Sequence, residues 1–204
     1  MSRPTARAAL QELERRFLVR RKKGSGTFVN ERIPYPVGGR HPASISQALA
    51  LSGHRADLRI VTVTDVEPTQ SEARSFGDDA PSRLWSIGRT ISVDGDVVGF
   101  NVSKLSASLT PDVRRHLTGT PSIWRILDVH YGIRLVRRSI DVSIDTPPEH
   151  VARILDSREP AWHLRSVNVN EPHGGVVELG ESWIRTDRVA VTVRFDHSTE
   201  ARSA

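Results

Sequence analysis

Ser2-Arg3-Pro4-Thr5-Ala6-Arg7-Ala8-Ala9-Leu10-Gln11-Glu12-Leu13-Glu14-Arg15-Arg16-Phe17, followed by Leu18-Val19-Arg20-Arg21-Lys22-Lys23-Gly24-Ser25-Gly26-Thr27-Phe28-Val29, is the stretch whose pattern governs the rest of the reading. Ala6, Ala9, Leu10, Leu13 and Phe17 fall at helical spacing and make one apolar face, which predicts a helix over residues 3–17. Ser2 is placed to cap it, and Pro4 is tolerated in a first turn. Arg3, Thr5 and Arg7 stand outward at its leading end, and these residue types reach phosphates and guanine edges. Residues 18–29 read as a short hairpin. Gly24 and Gly26 supply the positive φ of its turn, with Ser25 between them and Thr27 after, while Arg20, Arg21, Lys22 and Lys23 are four consecutive cations suited to a phosphate backbone.

The charge distribution supports the same assignment. The chain has 29 Lys and Arg, 24 Asp and Glu and a net charge of +5, yet residues 1–29 alone hold eight of the bases and two of the acids. The whole basic excess therefore lies in the first seventh of the chain, as expected of a nucleic-acid-binding end on a neutral body. The DNA contacts expected are Ser2, Arg3, Thr5, Arg7, Arg20, Arg21, Lys22, Lys23, Gly24, Ser25, Gly26 and Thr27.

Composition narrows the remaining classes. With 204 residues and 37% hydrophobic content, one fair-sized core plus a small appendage is expected. There is no cysteine, and the eight histidines show no metal-ligand spacing, so neither metal nor cofactor is expected. No apolar run approaches the roughly 18 residues of a membrane span, and Met1 is followed by Ser-Arg-Pro-Thr rather than an export signal. A cytoplasmic location without a membrane partner is the expectation.

The pattern Ser-Arg-x-Thr-x-Arg-x-Ala-Leu-x-x-Leu over Ser2–Leu13, then Leu-Val-x-Arg-x-x-Gly-x-Gly-Thr-Phe-Val over Leu18–Val29, resembles the recognition helix and wing of the GntR winged-helix regulators. That resemblance implies two preceding helices, so the DNA-binding domain is incomplete in this sequence, and a start site assigned too far downstream is one expectation. Arg32-Ile33-Pro34-Tyr35-Pro36-Val37-Gly38-Gly39-Arg40 reads as an extended linker over residues 30–42, since its prolines suit neither a helix nor a central strand. Its wording resembles the linker of the HutC subgroup, particularly the phosphonate-regulator branch.

Beyond the linker, helices are expected at 44–51, 122–129 and 148–155. Strands are expected at 57–66, 84–93, 97–105, 133–144, 162–169, 176–185 and 189–195, with Asp94-Gly95 a strong hairpin signal. No βαβ repeat or Gly-rich phosphate loop is present. The predicted fold class is α+β: a partial winged helix, then a mainly antiparallel sheet domain with flanking helices over 43–197 and a tail at 198–204. This order resembles the UTRA effector domain, which shares its fold with chorismate lyase.

The UTRA resemblance implies an effector cleft in the sheet, formed here by Ser46, Arg89, Asn101 and Glu178, with Arg134 a further candidate cation. The family's Arg-x-Arg before the hairpin is half kept, Ile91 standing in place of the second arginine. Two arginines at i and i+2 share a strand face and clamp an anion, whereas Arg89 alone is a single anchor. Ala48 and Ser44 are further departures that argue against a phosphonate. Trp85, Trp124, Trp162 and Trp183 read as core or dimer-surface anchors, and Arg114-Arg115-His116 and Arg137-Arg138 as solvated faces.

The function expected is that of a ligand-responsive transcription regulator, a repressor, bound as a homodimer to a palindromic double-stranded DNA operator and controlled by a small-molecule effector, anions among the candidates. One alternative is a truncated, DNA-incompetent sensor that dimerises with complete paralogues. A chorismate-lyase-like enzyme is the other, but no nucleophile–base pair or carboxylate pair at informative spacing supports it.

Overall fold

The computed structural model describes residues 2–15, 18–22, 24–30, 32–37, 45, 49, 53–119 and 122–193, and within these it leaves the side chains of Arg15, Arg20 and Lys22 undescribed. Helix α1 runs Arg3–Arg15. It is capped by Ser2, whose hydroxyl accepts from the Thr5 amide at 3.4 Å and lies 2.8 Å from the Thr5 hydroxyl. Strands β1 (Val19–Lys22) and β2 (Gly26–Val29) pair antiparallel around a turn in which Gly24 and Gly26 take φ of 79° and 118°. Arg21 is tied back to α1 by an ion pair with Glu14 at 3.4 Å.

The stretch read as a linker contains a strand, which corrects that expectation. Strand β3 (Ile33–Val37) pairs parallel with β10 (Val189–Val193). The prolines are compatible with this because they alternate with the residues that face the core. Ile33, Tyr35 and Val37 are buried, while Pro34 is exposed and Pro36 half-buried. The Ile33 amide faces the partner strand, donating to the Arg188 carbonyl at 2.9 Å, so the alternating prolines are not asked to donate to β10.

The body is a six-stranded sheet in the order β4-β5-β6-β9-β8-β7, every neighbouring pair antiparallel. Its strands are β4 (Ala56–Val66), β5 (Leu84–Val93), β6 (Asp96–Ser106), β7 (Leu135–Asp145), β8 (Ala161–Asn170) and β9 (Val176–Arg185). The flanking helices are α2 (Gln70–Phe76), α3 (Ile123–Tyr131) and α4 (Glu149–Leu155). The architecture is α+β, as expected. Of the helix expected at 44–51, Ile45 and Leu49 are described and helical; Ser46 lies outside the described residues.

Both faces of the sheet are covered. On one, α3 contributes Ile123, Ile126 and Leu127 to a core with Ile87, Leu105 and Leu135. The same face continues under β3 and β10, where Ile33, Tyr35 and Val37 pack with Leu58, Ile91, Leu164 and Val189. On the other face, Val151 and Leu155 of α4 pack on Phe100 and Trp183, and Phe76 of α2 packs on Leu84 and Val176. Helix α2 was not anticipated. Its signal is the capping box Thr69-x-x-Glu72, in which Thr69 Oγ1 accepts from the Glu72 amide and Glu72 accepts from the Thr69 amide.

Candidate functional site

Two cross-strand rows on the α3 side of the sheet assemble a polar cavity. Arg89 of β5 lies directly opposite Asn101 of β6, which lies opposite Ser182 of β9. In the neighbouring row Glu178 of β9 lies opposite Asn168 of β8, which lies opposite Arg137 of β7. Residues directly opposite across strands share a face, so all six line one cavity of about 50 Å³, closed by Tyr35, Ile45, Ile123 and Trp124. Gly180 forms its floor between the rows: a Cβ there would lie 2.5 Å from Ser166 Oγ.

Arg89 is buried and donates to Asn101 Oδ1, and to Ser103 Oγ at 2.8 Å. Burial lowers its pKa to about 10, partly offset by the Glu178 carboxylate, so the guanidinium stays charged at neutral pH. Glu178 is 3% exposed, and its Oε2 accepts from Trp124 Nε1 at 3.0 Å and Asn168 Nδ2 at 2.9 Å. The Asn168 Oδ1 is buried and meets no donor among the described residues. From the far side Arg137 and Tyr35 line the cavity together, and burial raises the pKa of the Tyr35 phenol against the opposing pull of that cation. The cavity thus combines two guanidinium cations, one carboxylate and amide and hydroxyl groups, the equipment to orient a small polar anion.

Of the five residues expected at an effector site, Arg89, Asn101 and Glu178 come together here. Ser46 is outside the described residues, although its neighbour Ile45 lines the cavity. Arg134 is placed elsewhere: its side chain is 67% exposed and pairs with Glu171 at 3.4 Å in solvent. Arg137, expected on a solvated face, is turned inward, while Arg138 is exposed and donates to the Gly174 carbonyl. Trp124, expected only as an anchor, forms part of the wall. Arg114 is exposed, as expected, and lies over the Trp85 ring at 4.8 Å.

The opposite sheet face carries a wider groove of about 310 Å³ beside α2, lined by Glu72, Lys104, Asp141, Arg165 and Glu181 among others. Several of its charges are already matched. Lys104 pairs with Glu72, and His163, stacked on Trp183 at 4.0 Å, bridges Asp145 at 3.2 Å and Glu181 at 2.9 Å.

In the basic element, Arg3 and Arg7 line one side of α1 with Gln11, and Thr5 is engaged with its cap. Gly24, Ser25, Gly26 and Thr27 are exposed on the hairpin. Arg21 is half-committed to Glu14, which fixes the hairpin against the helix. The side chains of Arg20 and Lys22, and all of Lys23, lie outside the described residues.

An antiparallel sheet covered on both faces, with a polar cavity under one helix, can enclose a small polar ligand. The UTRA domain family matches residues 51–190, and the chain belongs to that family. Its relatives are GntR-family regulators. It is 25% identical over 94% of its length to the HTH-type transcriptional repressor PhnF of Mycolicibacterium smegmatis, covering 78% of that protein. It is 30% identical to the HTH-type transcriptional regulator GgaR of Escherichia coli over 55% of this chain and 45% of GgaR, so that alignment spans less than half of the relative. The crystal structure of PhnF superposes with a TM-score of 0.71 at 27% identity, covering 97% of this chain and 86% of that one. A possible transcriptional regulator, YydK of Bacillus subtilis, shares the fold with a TM-score of 0.67 at 13% identity, over 96% of this chain and 84% of its own. No helix among the described residues is long and apolar enough to cross a membrane.

Proposed function

We propose that this chain is a ligand-responsive repressor that works as a cytoplasmic homodimer on a palindromic double-stranded operator, with its effector in the cavity of Arg89, Asn101 and Glu178. The observation that carries the reading is the convergence of Arg89, Arg137 and Glu178 in one buried cavity of a chain that begins with a basic helix and hairpin. A buried guanidinium and carboxylate in the same small cavity are costly to desolvate, and a site that recognises a charged ligand is one reason to keep them. The relative named a repressor supports the direction of control. On this reading Arg3, Thr5 and Arg7 read base edges in the major groove while the hairpin cations neutralise phosphates, and two copies are needed because one half-site gives little specificity.

Selection of bound fragments from random duplex DNA, followed by sequencing, tests this. The expected product is an inverted repeat with half-sites about one helical turn apart. A folded chain that retains no duplex even at low salt overturns the operator assignment and favours the DNA-incompetent sensor. Sedimentation of the same preparation reads the dimer.

A further inference from the structure

The sheet face turned away from the Arg89 cavity carries the larger space. The groove beside α2 measures about 310 Å³ against about 50 Å³ for that cavity. Small-molecule pockets begin at roughly 300 Å³, so the groove is of ligand size. The two spaces back onto each other at Ser166 and Gly180 and share no other lining residue. Strand register orders the charges of the groove. Val102 of β6 lies opposite Glu181 of β9, Glu181 opposite Arg165 of β8, and Arg165 opposite Asp141 of β7, so one cross-strand row reads apolar, minus, plus, minus. In the adjacent row Lys104 lies opposite Leu179, which lies opposite Val167. Val102, Val167 and Leu179 give the groove an apolar floor.

Lys104 is engaged with Glu72, but the row of Glu181, Arg165 and Asp141 is not closed on itself. Glu181 is fixed through one oxygen: His163 Nε2 lies 2.9 Å from Oε1, and Trp183 Nε1 donates to the same atom at 3.2 Å. Its Oε2 has no hydrogen-bond partner among the described residues. Arg165 and Asp141 are exposed, and neither forms a hydrogen bond or salt bridge with a described residue, although they face each other across the strand pair. An oriented carboxylate with one oxygen free thus stands one strand, about 4.8 Å, from an uncommitted guanidinium, beside an apolar floor. A simple anion meets Glu181 and Asp141 around the one free cation, and a simple cation meets Arg165, so each is opposed by a like charge. A ligand with both charges close together is opposed by neither.

We propose that this groove is a second small-molecule site, on the opposite sheet face from the Arg89 cavity, and that its ligand is a free amino acid with an apolar side chain. Arg165 takes the carboxylate, Glu181 takes the ammonium through Oε2, and Val102, Val167 and Leu179 receive the side chain. His163 and Trp183 are positioning residues that hold Glu181 in place. The inference stands whatever the Arg89 cavity binds.

Each face has its own reporter, since the Trp183 indole N–H bonds to Glu181 and the Trp124 indole N–H bonds to Glu178 in the other cavity. Titration of the full chain with L-leucine, followed by indole NMR, is expected to move Trp183 along one saturable curve while Trp124 moves less or not at all. Isocaproate lacks the ammonium and isoamylamine lacks the carboxylate, and each is expected to bind at least about tenfold more weakly than L-leucine. Glycine, without an apolar side chain, is also expected to bind more weakly. Arg165→Gln and Glu181→Gln should each weaken L-leucine at least about tenfold. Arg165 is exposed and bonded to no described residue, so its variant reads the site even if Glu181→Gln, which alters the contact with His163, is destabilised. No saturation at Trp183, or a curve carried by Trp124 instead, overturns the inference. Parental affinity in Arg165→Gln, or isocaproate or isoamylamine binding as tightly as L-leucine, overturns it as well. None of these results bears on whether the Arg89 cavity holds an effector, except that a curve carried by Trp124 would place the amino acid there.

Discussion

Trp124 donates its indole N–H to Oε2 of Glu178 at 3.0 Å, tying helix α3 to strand β9 across the cavity. Glu178 is a buried carboxylate with one other side-chain donor, Asn168, on the same oxygen. Trp124→Phe keeps most of the ring and removes the donor, so a loss of about 1–3 kcal/mol is expected in urea denaturation. Glu178→Gln in the Trp124→Phe background should recover part of the loss, because a neutral amide is cheaper to leave under-bonded. Equal stability of Trp124→Phe and the parent chain would show that the bond contributes nothing.

Gly180 makes room for the Ser166 hydroxyl at the floor of the cavity. Gly180→Ala places a methyl 2.5 Å from Ser166 Oγ, and overpacking of this kind costs about 1–3 kcal/mol. Ser166→Ala removes the clashing atom, so the double variant should be more stable than Gly180→Ala alone. Denaturation midpoints of the four chains form the cycle, and strict additivity would exclude the contact.

Glu72 gives the body an acid-sensitive element on the opposite face. Burial raises its pKa, but bonds from Lys104 and from the Thr69 amide and hydroxyl outweigh it and hold the carboxyl below its ordinary value. A carboxylate depressed in the folded state contributes stability that is present above its unfolded pKa of about 4.3 and is lost as pH falls through the lower folded value. Glu72→Gln should therefore flatten the acid limb of the stability curve below about pH 5 while leaving its shape at neutral pH unchanged. A parallel acid limb in the two chains would assign the loss to other groups.

The basic element is expected to separate specificity from affinity. Arg3→Ala at the leading end of α1 should relax base preference, with about 1–3 kcal/mol less discrimination at one position. Lys22→Ala should weaken binding to all sequences and reduce the salt slope by about one. Retention of parental operator affinity and salt slope by the double variant would remove these residues from the interface.

The hairpin around Asp94-Gly95 was legible because turn chemistry is local: both residues take positive φ, 52° and 84°, as the dipeptide implies. The strands on either side then follow from alternation. Helix α2 was missed although Thr69-x-x-Glu72 carries its capping signal, because its seven residues are too short for a periodic pattern to stand out. Strand β3 was hidden by its prolines. They forbid a central strand but not the edge of a two-stranded sheet, and which of the two applies depends on β10, more than 150 residues away.

Sequence alone determined the basic helix and hairpin and the antiparallel α+β body, because charge, turn residues and alternation act over a few residues, while the candidates Arg89, Asn101 and Glu178 followed from the resemblance to the UTRA domain. Only the tertiary structure decided which cations share the cavity. The register of β7 on β8 slips between Arg137 and Ser139, placing Arg137 opposite Asn168 and Arg138 outward, while Arg134 remains in solvent with Glu171. A one-residue slip exchanges the faces of a strand. That register is set by pairing across the sheet, and nothing within residues 134–138 could have announced it.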